Sequence, residues 1–344
     1  MEGISAFSLS EKRMNELLQK LPKARLGLIG DVCLDMYWFA DMRRSELSRE
    51  TPHFPLPVVE ERLSLGAAGN VAANIKALGV ETLHLISAAG DDWRHSILSG
   101  LLKQHGLRED YIVECKNRVT QSYCKPMRKG ISEVVYEDPR IDFSNYEPLP
   151  AQKEDEIIDA LGTIAEKVDV LAVSDQFMYG CVTPRVRQKI CEIGERLPVV
   201  VDSRDRISEY TSVIIKPNEI EAGALLGQNL LSGDLAANLL SAAPVLSGKT
   251  GRPVVITLGE KGAFYYQEGS AYIVPAQAVS PPIDFVGAGD TFLSAFCATL
   301  AVGATGPEAI AFGNLASAVV IKKIGITGVA TPEEIRTSHR QREE

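Results

Sequence analysis

Short apolar runs alternate with segments of helical period along most of this chain, and that alternation limits its folds more than any other feature. The runs cover residues 26–30, 83–88, 168–174, 199–202, 213–215 and 254–258. Helical patterns lie between them at 71–78, 93–105, 152–167, 184–196, 219–226 and 235–243. Apolar runs this short, bounded by helices, read as strands buried on both faces. The fold class expected is therefore α/β, a doubly wound, mainly parallel sheet with helices on both faces. Two stretches, 37–59 and 118–143, break the rhythm with Pro, Arg and alternating β-formers such as Glu133-Val-Val-Tyr. They predict a small β-sheet lid inserted in a single 1–344 domain; irregular surface loops are the alternative. An amphipathic helix is expected over 8–21, and the last dozen residues read as a tail.

In an open sheet of this kind, ligands bind at the carboxyl ends of the strands. The rule groups residues far apart in sequence: Asp31 and Asp35, Asp175, Asp202 and Arg204, Asn218 and Glu221, Thr257 and Gly259, with Asp290 among them. A net charge of −9 argues against a nucleic-acid partner, and no apolar run reaches the length of a membrane span. Six cysteines without a C-x-x-C pair, and no secretory signal, read as reduced thiols of a cytoplasmic protein. Five scattered histidines offer no zinc-binding spacing.

Five segments carry chemistry. Asp284-Phe-Val-Gly-Ala-Gly-Asp290 is a glycine turn opening a helix, and it would aim the amides of Gly287, Ala288 and Gly289 at one point. The helix dipole adds positive charge there, and Asp290 sits at its rim. A carboxylate beside an anion hole suits attack of a hydroxyl on a phosphoryl group, although an N-capping aspartate would read the same. In Gly66-Ala-Ala-Gly-Asn70, small residues admit a close ligand and Asn70 offers donor and acceptor to sugar hydroxyls; a plain N-cap is the alternative. Asn218 and Glu221, three apart at a helix start, suit a water-rich Mg²⁺ or a capping box. Thr257-Leu-Gly259, with Gly262, is a turn able to expose amides to nucleotide phosphates. The lid cations Arg43, Arg44, Arg49, Lys125, Arg128 and Lys129 can clamp a substrate phosphate or merely solvate an exposed sheet. Neither a Walker A pattern nor a G-x-G-x-x-G fingerprint occurs, which excludes those two modes of phosphate binding.

The order of these segments resembles the ribokinase (PfkB) family of carbohydrate kinases over roughly residues 24–335. Within it, Gly30-Asp-Val-Cys-Leu-Asp-Met-Tyr-Trp and the segment 48–59 resemble the heptose-7-phosphate kinase branch. The resemblance implies ATP and Mg²⁺ as cofactors, Asp290 as acceptor of the hydroxyl proton, and the amides of 287–289 as the anion hole. It further implies Asp35, Asn70 and Asp31 on sugar hydroxyls, Asn314 near the nucleotide, and Asp284 at a monovalent-cation (K⁺) site. For that branch the acceptor is the anomeric hydroxyl of D-glycero-D-manno-heptose 7-phosphate, and a nucleotidylyltransferase domain is often fused. No such domain is expected in these 344 residues. Three departures stand out: Phe285 replaces a small or β-branched residue, 174–180 lacks a lysine, and Asp202-Ser-Arg204 stands for Asp-Pro-Lys. A nucleoside kinase and a catalytically silent sugar-binding protein are the competing functions. A homodimer through the exposed lid is expected.

Overall fold

The structure, a computed structural model, describes residues 3–132 and 134–343, so Glu133 of the expected lid lies outside it. Its strands are β1 (Ser5–Ala6), β2 (Arg25–Gly30), β3 (Val32–Asp41), β4 (Val58–Ala67), β5 (Thr82–Gly90), β6 (Tyr111–Cys115), β7 (Ser122–Lys129), β8 (Val135–Glu137), β9 (Ile141–Phe143), β10 (Val170–Asp175), β11 (Val199–Ser203), β12 (Ile214–Ile215), β13 (Val254–Thr257), β14 (Ala263–Gln267) and β15 (Ser270–Val274). The helices are α1 (Glu11–Lys20), α2 (Ala68–Ala77), α3 (Trp93–Gln104), α4 (Ala151–Ala165), α5 (Pro184–Gly194), α6 (Glu219–Leu226), α7 (Leu235–Thr250), α8 (Ala288–Ala301), α9 (Gly306–Val320) and α10 (Pro332–Glu343).

Among the described residues, ten strands form one sheet in the order β1-β15-β14-β13-β12-β11-β10-β2-β5-β6. All neighbours from β13 to β6 are parallel, while β14 runs antiparallel to β13 and β15. The chain first lays β5 and β6 to one side of β2, then returns to place β10 on its other side. That reversal opens a crevice at the carboxyl ends of β2 and β10.

Alternate side chains divide between two cores. Leu26 and Leu28 pack with Val71 of α2, Leu98 of α3, Phe296 of α8 and Phe312 of α9. Ile29 joins Ile157 of α4, Ile190 of α5 and Leu239 of α7 on the opposite face. Each fully buried Leu or Ile contributes about 1.5–3 kcal/mol, so both layers hold the sheet rigidly behind the crevice.

A second sheet runs β4-β3-β7-β8, with β9 also paired to β7. It starts at Val32 and reaches Ala67, beyond the expected 37–59, because β2 passes into β3 with only Asp31 between them. Residues 45–57 within that range form no strand. Leu34, Met36 and Cys124 bury one face of this sheet with Ile97 and Leu101 of α3. Asp35, Tyr37, Tyr123 and Lys125 therefore lie on the other face, by the two-residue period of a strand.

Two element expectations fail. Helix α7 continues through Pro244 to Thr250 and ends at left-handed Gly251, because Ala243 and Leu246 bury against the sheet on either side of the proline. The expected tail is helix α10, fastened by buried Ile335 and by His339 Nε2 at 2.8 Å from the Leu9 carbonyl. The six cysteines are unpaired and mostly buried, as expected. No helix among the described residues is long and apolar enough to cross a membrane.

Candidate active site

At the crevice, the strand ends bring Gln176, Asp202, Arg204, Lys216, Asn218, Glu221, Thr257, Gly287, Gly289 and Asp290 around one polar cavity of about 260 Å³. Most of the residues grouped by the strand-end rule meet here. Gly287 caps α8 in the left-handed region (φ 79°), where a side chain would be strained and its Cβ would lie 3.0 Å from Asn70 Nδ2. The turn thus brings the positive end of α8 to the cavity. One detail departs from expectation: the Ala288 amide donates to the Phe285 carbonyl at 3.1 Å, so it is not free. Gly287 and Gly289 line the cavity, whereas Ala288 faces its neighbour.

Asp290 stands at the edge of this cavity. Asn70 Nδ2 donates to its Oδ2 at 2.8 Å. Enclosure by protein pushes its pKa up to about 7; the Asn70 hydrogen bond and Lys216 work downward, Asp202 and Asp35 upward. That lies above the ordinary carboxylate value near 4, because desolvation penalises the charged form. Asn70 itself is only 2 % exposed, so it acts on the carboxylate rather than presenting both ends of its amide to a ligand.

Asn218 and Glu221 form a complete capping box at the start of α6. Asn218 Oδ1 accepts from the Ile220 and Glu221 amides at 2.9 and 2.8 Å, and Glu221 Oε2 accepts from the Asn218 amide at 2.8 Å. The box consumes one carboxylate oxygen and the amide oxygen, which leaves the second oxygen and the NH₂ group for other partners. Burial raises the Glu221 pKa. Lys216, absent from the sequence expectations, is buried at the end of β12 and pairs with Asp202 at 3.1 Å. A lysine closing a buried parallel strand was the available signal, since only a ligand or a carboxylate justifies its charge there.

Beside the polar cavity lies a second one of about 470 Å³, lined by Gly259, Ala276, Val279, Phe285, Ala288 and Asn314 among others, and largely apolar. Asn314 Nδ2 donates to the Val274 and Pro275 carbonyls at 3.0 and 3.4 Å, fixing the strand that walls it. Gly262 does not reach either cavity. Its φ of 96° and the Val274 carbonyl beside it make it a turn glycine, which corrects its reading as a nucleotide contact.

On the face of the second sheet, Asp35 accepts from Lys125 Nζ at 3.3 Å, and Lys125 donates to Tyr37 Oη at 2.8 Å. Burial disfavours charge on both; Asp35 and Tyr37 nevertheless hold the Lys125 pKa above its ordinary value. Gly66 leaves room for the Asp35 carboxylate, since a Cβ would lie 2.9 Å from Oδ1. Guanidinium groups stack on the same strands: Arg62 lies 4.4 Å from the Phe39 ring centre and Arg140 4.0 Å from that of Tyr123. Two expectations are corrected here. Arg128, three residues from Lys125, projects from the opposite face of β7 and pairs with Asp138 at 3.0 Å, so the two cannot clamp one phosphate. Asp31 is 3 % exposed, its carboxylate spent on the amides of Phe177 and Cys181, and no face of it meets either cavity. Asp175 is likewise consumed, by Ser203, Arg206 and Tyr210. Arg43 chelates Asp41. Asp284 accepts from the Val286 and Gly325 amides, both at 3.0 Å.

No group of three or more His, Cys, Asp or Glu side chains suited to hold a metal occurs among the described residues. Glu221 and Asp202 at the polar cavity match a cation that takes one or two carboxylates and completes its shell with water and phosphate, as Mg²⁺ does. A larger cavity of about 780 Å³ lies off the edge strand β6 and contains none of the residues above.

A carboxylate of raised pKa, amides at a helix start and a doubly wound sheet with an added β-layer define a phosphoryl-transfer enzyme class. The chain belongs to the pfkB family of carbohydrate kinases, whose model matches residues 60–333. It is similar to the bifunctional protein HldE of Geotalea uraniireducens (30 % identity, 95 % of this chain and 65 % of that protein). HldE of Caulobacter sp. strain K31 is 31 % identical over 94 % of this chain and 65 % of its own length. The chain thus spans about two thirds of these relatives. The fold is ribokinase-like. Arabidopsis thaliana ribokinase, solved with ribose and ATP, superposes with a TM-score of 0.70 at 18 % identity, covering 92 % of this chain and 98 % of that one. Escherichia coli phosphofructokinase-2, solved with substrates and products, gives 0.71 at 20 % identity, covering 93 % and 100 %.

Proposed function

We propose that this carbohydrate kinase moves the γ-phosphoryl group of ATP onto a hydroxyl of a sugar phosphate, with the anomeric hydroxyl of D-glycero-D-manno-heptose 7-phosphate as the acceptor to test first. One observation carries the reading: Asp290, its pKa pushed up to about 7, borders a polar cavity that Gly287 and Gly289 at the start of α8 also line. A base with that pKa accepts a hydroxyl proton at neutral pH far better than an ordinary aspartate. The amides and Lys216 offset charge on the transferring phosphoryl, which is where catalysis of such a transfer lies. The apolar cavity at Gly259 and Asn314 suits a nucleotide base, and Thr257 suits its phosphates. Mg²⁺, held through water at Glu221, would supply further charge compensation. The relative solved with potassium supports K⁺ dependence near Asp284, whose two oxygens already accept backbone amides.

The acceptor assignment rests on the second sheet. Lys125, Arg62 and Arg140 place three cations on the face that carries Asp35, each now paired with a carboxylate (Asp35, Glu60 and Asp142), and an anionic sugar could exchange with those partners where a neutral nucleoside could not. The HldE likeness points the same way. Closure of this sheet over the crevice would exclude water from the transfer. A coupled ADP-release screen over sugars, sugar phosphates and nucleosides, with Asp290→Asn as the blank, tests the reading. Turnover of sugar phosphates alone supports it; turnover of nucleosides alone rejects it.

A further inference from the structure

Behind Asp290 lie two buried amides, Asn70 and Asn74, neither of which lines the polar cavity. Asn74 is 1 % exposed and lies one helical turn beyond Asn70 in α2. Its Nδ2 sits 3.0 Å from the Asn70 carbonyl oxygen and 3.4 Å from that of Gly328, groups that can only accept. The NH₂ end of Asn74 must therefore lie on that side. The same NH₂ is 3.1 Å from Asn70 Oδ1, so this atom must be the oxygen, and the Asn70 NH₂ is left to face Asp290 Oδ2 at 2.8 Å. Thr291 Oγ1 closes the arrangement by donating to Asn74 Oδ1 at 3.0 Å. Backbone carbonyls thus dictate both amide orientations, with no freedom to flip.

We propose that Asn74, which lines neither the polar nor the apolar cavity, is a positioning residue: it locks the Asn70 amide with its donor end on Asp290 and so holds that carboxylate in its reactive orientation. If the Asn70 amide turned over, its oxygen would oppose Asp290 and disfavour the ionised base. Asn74 therefore acts on catalysis through the proton affinity of Asp290, although it touches neither substrate nor cofactor. The charged groups that face Asp290 from other elements are Asp202 near the end of β11, Lys216 after β12 and Asp35 on β3. None of them contacts Asn74. The inference rests on the reading of Asp290 as the base, and its test is chosen to separate the two.

The test is titration of the Asp290 carboxyl by ¹³C NMR in aspartate-labelled full chain, the resonance being assigned by its loss in Asp290→Asn. No acceptor need be known. In Asn74→Ala the midpoint should rise by at least half a pH unit over the parent, because Asn70 is released. Asn74→Asp keeps the side-chain volume, removes the donor and serves if the alanine variant fails to fold; it should move the midpoint the same way and further. The acid limb of kcat/KM, measured with the best acceptor of the ADP-release screen, should shift in step, and activity should recover above pH 9. A midpoint within 0.2 unit of the parent in a folded variant overturns the role of Asn74. If Asp290→Asn keeps near-full turnover instead, the base assignment falls and the titration result stands alone.

Discussion

At the scale of single residues, Asp290 combines two costs that a purely structural aspartate would avoid. Its carboxyl is enclosed, and its pKa is pushed up to about 7. Catalysis needs the ionised form, so kcat/KM should rise with pH to a plateau above about 8 and fall roughly tenfold per unit below about 6. Asp290→Asn should lower kcat by roughly 10²–10⁴ with little change in KM for the sugar, measured by ADP release. The same raised pKa acts on stability. Between the unfolded value near 4 and the folded value near 7, the native state holds a proton that the unfolded chain releases, so folding weakens as pH climbs through that window. Asp290→Asn removes the effect, and its melting temperature should exceed that of the parent by a few degrees at pH 8, with the gain gone at pH 4. Scanning calorimetry at the two pH values checks it. Lys125 belongs to the acceptor side. Lys125→Met should raise KM for an anionic sugar by about 10–100-fold and leave KM for ATP unchanged, as expected for the loss of one charge-assisted contact.

At the scale of elements, the turn between β13 and β14 carries two glycines, of which Gly259 lines the apolar cavity and Gly262 does not. Gly262 holds a conformation open only to glycine, and a methyl group there would collide with the Val274 carbonyl. Gly262→Ala should cost about 1–3 kcal/mol from backbone strain alone, read as a lower urea midpoint, while KM for ATP stays the same in the folded fraction. The sequence showed this turn but not which glycine served which end. Strands and amphipathic helices were legible because each carries its period, and the capping box at Asn218 and Glu221 because both partners lie three residues apart. Helix α9 was not: thirteen of its residues from Gly306 to Val320 are buried, and an element buried on every side has no polar face to reveal its period. Helix α10 failed for the opposite reason. Its mostly polar sequence hides three anchors, Ile335, Ser338 and His339, whose partners lie some 60 to 330 residues away.

At the scale of the whole molecule, the second sheet leaves apolar side chains uncovered: Phe54, Val59, Ile131 and Tyr136 are all more than half exposed. Exposed apolar side chains on and beside a β-layer favour a partner surface that covers them. We predict a homodimer through this face, seen by sedimentation at micromolar concentration, and its dissociation in an Ile131→Glu, Tyr136→Glu double variant. The sequence by itself determined the α/β rhythm, the crevice at the strand ends and the glycine turn before Asp290, since these follow from local period, turn chemistry and the geometry of parallel strands. Only the tertiary structure decided which aspartates stay open. The strand-end rule groups Asp31, Asp175 and Asp290, yet backbone amides consume the first, Ser203, Arg206 and Tyr210 the second, and Asn70 of α2 donates to the third. Proton affinity and direction are set by neighbours that fold brings close, and no local pattern records them.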